Sequence, residues 1–143
     1  MTAKEYLEQV SFLDEEIHTY RSELAELRDF AESIASAGFQ SASKSNVPKD
    51  KTAETVAKIM ELERKIDDRV NRLVELKIQI YYEIDKLPAR EEKLLLKYRY
   101  LQFHTWEQIA EEMNYSERNV YYIHKRALRT FESLHCIADR PVV

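Results

Sequence analysis

The chain has 143 residues, 34% of them charged, a single glycine and a formal net charge of −4. That length fits one or two small domains, and so little glycine excludes a Gly-rich phosphate loop. Cys136 is the lone cysteine, so no intrachain disulfide can form, and a reducing cytoplasm is consistent with that.

The N-terminus MTAKEYLEQV has no apolar signal core, and no run approaches the roughly 18 apolar residues of a membrane span. No membrane contact is expected. Residues 2–36 read as one long helix. Tyr6, Val10, Leu13, Ile17, Tyr20, Leu24, Leu27, Ala31 and Ile34 alternate in steps of four and three, which is a heptad seam. So narrow a seam needs a partner helix to cover it. Residues 37–50, AGFQSASKSNVPKD, break the pattern. Gly38 is placed to end the helix, and the small polar residues with Pro48 favour an irregular connector. Phe39 and Val47 could fold back on the helix ends, and the Ser/Lys tract could meet phosphate or a partner.

Residues 51–87 read as a second long helix. Val56, Ile59, Leu62, Ile66, Val70, Leu73, Ile80, Ile84 and Leu87 supply its seam, and Lys77 interrupts it beside Leu76. The simplest arrangement is an antiparallel hairpin in which each stripe covers the other. Leu76, Ile78, Tyr81 and Tyr82 spread beyond one seam. They predict packing against the C-terminal part or against another copy, hence a homo-oligomer through residues 1–87. Pro88 is read as stopping this helix and opening the next in its first turn. Residues 88–103 form a support helix with Leu94, Leu95, Tyr98 and Leu101 inward, and Trp106 is expected to bury its ring beside it.

Two short helices follow. Thr105 caps the first, and Gln108 stands three residues on, as a capping box requires. Ile109, Ala110 and Met113 share one face. Asn114, Tyr115 and Ser116 interrupt the pattern, and Ser116 caps the next helix. In that helix Val120, Ile123, Ala127, Phe131 and Leu134 recur at helical spacing. This is the layout of a helix-turn-helix, whose second helix enters the major groove of double-stranded DNA. Arg118, Tyr122, Lys125 and Arg129 fall opposite the apolar stripe, within about 60° of each other. Three cations, a phenol and no carboxylate on one face suit phosphate, and Arg can also grip guanine. The charge distribution agrees. Residues 88–143 hold nine Lys/Arg and eight Asp/Glu, a net of +1, which leaves −5 for residues 1–87. Residues 136–143, CIADRPVV, read as a short tail.

The text LPAREEKLLLKYRYLQFHTWEQIAEEMNYSERNVYYIHKRALRTF resembles region four of bacterial sigma factors, the module that reads the promoter −35 element. The shared pattern is a Leu-Pro-x-Arg-Glu opening, an apolar helix ending near Arg-Tyr, a capped helix with Ile-Ala, and a capped helix ending in Ala-Leu. The resemblance covers about one third of the chain. The whole chain is also similar to small phage-encoded transcriptional regulators with a long helical N-terminal part. The resemblance implies base reading at Glu117, Arg118 and Tyr122, where Glu117 and Tyr122 depart from the residues usual in primary sigma factors. It implies activator contact at Arg126, and bacterial RNA polymerase as a further partner. Nothing resembles the segment that melts the −10 element.

The reading is an all-α protein: a helical hairpin over residues 1–87, a helix-turn-helix domain over 88–135 and a tail. The expected DNA-binding set is Ser116, Glu117, Arg118, Asn119, Tyr122, Lys125, Arg126 and Arg129. The expected function is sequence-specific transcription regulation near a promoter, in the cytoplasm of a bacterial host, from a phage or prophage. A phage DNA-packaging recognition subunit is an alternative, although its DNA-binding part usually comes first. A module that binds RNA polymerase or a sigma factor without DNA is another, and the cationic face counts against it. His18, His104, His124 and His135 show no ligand spacing. No cofactor, metal or enzymatic activity is expected.

Overall fold

The computed structural model describes residues 1–40 and 49–141. Among them all regular structure is helical. Helix α1 spans Ala3–Gln40 and α2 spans Lys49–Asp85, forming a long antiparallel hairpin. Then come α3 (Arg90–Leu96), a π-helical turn (Lys97–Leu101), α4 (Trp106–Met113), α5 (Glu117–His135) and a 3-10 turn (Ile137–Asp139). Gly38 does not end α1, which continues to Gln40. One glycine costs a helix interior only about 1 kcal/mol, too little to stop it. Residues 41–48 lie outside the described residues, as do the side chains of Phe39, Lys44 and Val47, and Lys49 and Asp50 already belong to α2.

The chain forms two compact units, Met1–Leu13 with Leu73–Val143, and Asp14–Arg72. In the Asp14–Arg72 unit Leu24, Leu62 and Ile66 are buried, with Tyr20, Leu27, Ile59 and Val70 against them. Arg69 Nε donates to Glu16 at 2.6 Å and Arg28 Nη2 to Glu63 at 2.7 Å, pairings that run in antiparallel order. The Arg69 hydrogen bond holds the Glu16 carboxyl below its ordinary pKa. Val56, expected in the seam, is exposed instead, together with Met60. A straight helix drifts by about 20° per heptad from a strict seam, so the outermost residues leave it.

The other unit has the larger core. Ala3, Tyr6, Leu7, Val10 and Leu13 of α1 meet Leu76, Ile80 and Ile84 of α2, Leu87 beyond it, and the helices after residue 90. Thr2 and Glu5 form a capping box at the start of α1, with bonds of 2.7 and 3.2 Å. Pro88 does not sit in the first turn of α3. Ala89, extended at φ −90° and ψ 122°, is the capping position, so Pro88 precedes it.

The support helix departs from a 3.6-residue period. Gln102 N donates to Lys97 O at 3.0 Å, a five-residue step. Leu95 and Leu96 are buried, and so are Tyr100 and Leu101, five residues further on. Leu94 and Tyr98, expected inside, are only half-buried. A π turn inserts one residue into the register, which brings Tyr100 inward in place of Tyr98; Leu94 precedes the turn.

The segment after α5 is no loose tail. Cys136 takes a left-handed conformation (φ 49°, ψ 50°) and ends α5, and Ile137 is fully buried. Arg140 Nη1 donates to Glu83 Oε2 at 2.8 Å and Oε1 at 3.0 Å. Tyr6 Oη donates to Glu83 Oε1 at 2.7 Å. His135 Nε2 lies 2.8 Å from Glu83 O. Burial, then the hydrogen bond to Glu83, push the Tyr6 phenol well above its ordinary pKa. One buried carboxylate thereby ties the first helix, the second and the C-terminal segment together.

Candidate nucleic-acid interface

The site is built from two capped helices and a turn. Thr105 Oγ1 accepts from Gln108 N at 3.2 Å, and Gln108 Oε1 accepts from Thr105 N at 2.9 Å. The capping box is complete, and it fixes where α4 starts. Ile109 and Ala110 then turn inward. Asn114 closes α4 in a left-handed conformation at φ 57° and ψ 43°. Asparagine tolerates that conformation better than most side chains, so the turn needs no glycine. Ser116 Oγ accepts from Asn119 N at 3.1 Å and starts α5.

Val120, Ile123, Ala127 and Phe131 are buried along α5. Leu134, expected in that stripe, is 49% exposed. His135 takes the inward place, its ring 4.7 Å from that of Phe131 and anchored at Glu83. His124 is also inside, with Nε2 2.7 Å from Tyr100 Oη. Its ring makes an edge contact with Trp106 at 4.6 Å. Burial pushes the His124 pKa down to about 4, and nearby Lys4 and Arg99 act in the same sense. Burial likewise raises the Tyr100 phenol. Trp106 is half-buried, with the Arg99 guanidinium 4.3 Å from its ring centre.

Opposite this inner face Arg118, Tyr122, Lys125 and Arg129 are all exposed, and so are Glu117 and Asn119 on its flanks, with the capping Ser116 at their head. Among the described residues Arg118, Lys125 and Arg129 form no ion pair, whereas Lys97, Arg126 and Arg140 of the same unit do. Arg126 differs from the rest of the expected set. Its Nε donates to Glu92 at 2.8 Å and its Nη2 to Glu91. These bonds, Glu92 first, raise its pKa and tether α5 to α3.

Tyr121 was not among the expected site residues, yet it is 53% exposed beside Tyr122 at 55%. Lys125 Nζ stands 4.6 Å from the Tyr121 ring centre, and the Arg118 guanidinium 5.8 Å from that of Tyr122. The missed signal is position. Tyr121 lies about 100° from Val120, on the flank of the helix, where a simple inside/outside division gives it no role. Trp106, Glu107, Glu117, Arg118 and Tyr121 line an open concavity between the starts of α4 and α5.

Two capped helices joined by a tight left-handed turn, the second with a free cationic face, define a helix-turn-helix protein. The family model of Sigma-70, region 4 matches residues 84–130, from the end of α2 nearly to the end of α5. Over that span the chain is similar to sigma region four, and the expected resemblance holds there. Neither the curated proteins nor the solved structures include a significant match to the chain. No helix among the described residues is long and apolar enough to cross a membrane.

Proposed function

We propose that this protein is a sequence-specific DNA-binding transcriptional regulator, promoter-proximal and of phage or prophage origin, with α5 as its recognition helix. The observation that carries the reading is the face of Arg118, Lys125 and Arg129, which has no carboxylate partner among the described residues. Within the same unit Lys4, Lys97, Arg126 and Arg140 are each paired with a carboxylate. A row of unpaired cations on the second helix of a helix-turn-helix suits a line of phosphates and guanine edges. Ser116, Glu117, Asn119 and Tyr122 accompany them in the first two turns, where such helices reach bases. Arg126 is better read as a positioning residue, since Glu91 and Glu92 occupy it.

Two further partners belong to this reading. Leu94, Tyr98, Met113 and Tyr115 line a groove rimmed by Arg90 and Glu112, which supports docking on bacterial RNA polymerase. Val74, Ile78, Tyr81 and Tyr82 stand exposed on α2, which supports a homo-oligomer through residues 1–87. Light scattering at high micromolar concentration checks the oligomer, and a strict monomer would remove it. The function itself is tested by sequencing host genomic fragments retained by the intact protein. Enrichment of a shared motif upstream of genes is the expected result. Retention of polymerase with no retention of any duplex would replace this reading with protein interaction alone.

A further inference from the structure

The recognition face carries two aromatic rings that the cations alone do not explain. Tyr121 and Tyr122 are adjacent, half-exposed and steeply inclined, with ring centres 6.3 Å apart at 63°. Each has a cation over its ring, Lys125 over Tyr121 and Arg118 over Tyr122. Neither phenol is needed by the fold, because the inner face of α5 is complete with Val120, Ile123, Ala127 and Phe131. Aromatic side chains left half in water expose apolar area, which becomes favourable only when something apolar covers it. In the major groove the apolar group on a base edge is the 5-methyl of thymine. The rings lie one turn into α5, beyond the Ser116 cap, at the depth where recognition helices touch bases. Glu107 and Glu117 line the concavity beside Tyr121 together with Arg118, so the charge around this ring is mixed rather than purely cationic.

We infer that Tyr121 and Tyr122 read thymine 5-methyl groups, so that the preferred site sets thymines around the pair gripped by Arg118. This inference rests on the DNA-binding reading above. The cations stacked on the rings hold them in place, and the rings supply selectivity that is insensitive to salt. Covering one methyl group is worth about a threefold to fivefold change in affinity.

The test uses the intact protein and a duplex enriched from a random-sequence pool. Fluorescence anisotropy compares that duplex with one in which every thymine is replaced by deoxyuridine, which removes the methyl groups and keeps charge and hydrogen bonding. The expected result is about a tenfold loss if two methyl groups are read, equal at low and high salt. Single deoxyuridine substitutions should trace the loss to one or two positions. Tyr121→Ser and Tyr122→Ser should each abolish the effect at one position, while Tyr121→Phe and Tyr122→Phe keep it. Both positions are exposed, so these variants should fold. Equal binding of the thymine and uracil duplexes would overturn the inference and leave DNA binding standing. A failure to bind any duplex would overturn both.

Discussion

Replacing Arg140 by alanine removes the cation from a carboxylate that has almost no access to water. Glu83 is 6% exposed and holds two hydrogen bonds from Arg140, at 2.8 and 3.0 Å. Breaking a buried ion pair by deleting one partner costs about 3–5 kcal/mol. Two features of this site lower that figure. The Arg140 side chain is itself 28% exposed, so the pair is not fully desolvated. Glu83 also keeps the Tyr6 hydroxyl at 2.7 Å, with His135 Nδ1 3.9 Å away. The expected loss for Arg140→Ala is therefore about 2–3 kcal/mol. Urea unfolding followed by circular dichroism measures it. A cycle with Glu83→Gln separates the pair from its parts, and the double variant should lose clearly less than the sum of the single losses. A loss under about 0.5 kcal/mol, the size of an ordinary surface substitution, would show that Glu83 is hydrated and that the segment after α5 is not docked.

Ala110→Leu should destabilise the unit by about 1–3 kcal/mol through overpacking where α4 meets α5, and unchanged thermal unfolding would show that the site has room. His124 has a folded pKa of about 4 against an ordinary 6.5, so the unfolded chain takes up the proton first as pH falls. Stability is full above about pH 6.5 and falls toward pH 4, with a loss of about 2 kcal/mol by pH 5. Urea midpoints at pH 7 and pH 5 should show this slope in the native protein and not in His124→Gln; equal slopes would locate the titration elsewhere. Arg118→Ala should cost about 1–3 kcal/mol on the preferred duplex and relax preference at one base pair. Arg129→Ala, farther along α5, should weaken all duplexes alike and lower the salt slope by about one unit. Equal weakening of specific and random duplexes by Arg118→Ala would move base reading to other residues.

What was legible in the sequence was local. Thr105 with Gln108, and Ser116 ahead of Val120, fix helix starts within a few residues of themselves, and the structure has both caps. Long periodic stripes gave the two hairpin helices for the same reason. In the support helix Leu95 and Leu101 are buried as expected, but Tyr98 was misplaced because a π turn in KYRYL leaves no mark on composition. It brings Tyr100 inward in place of Tyr98. The Glu83 cluster was invisible because its members come from positions 6, 83, 135 and 140. No periodicity links such distant groups. Arg126 looked like a further cation of the DNA face until its carboxylate partners on α3 were known.

The assembly of this protein has a built-in wait. Tyr6 finds its carboxylate 77 residues later, and that carboxylate finds its guanidinium a further 57 residues on. The loop entropy of such distant pairings must be overcome before they contribute anything, which slows folding. The Asp14–Arg72 hairpin can zip from contacts nearer in sequence while the first turns of α1 still expose Tyr6, Leu7 and Val10. Those turns stay uncovered until Leu76, Ile80 and Ile84 of α2 return to them. Helix α5 gains its anchor at His135 only when it reaches back 52 residues to Glu83.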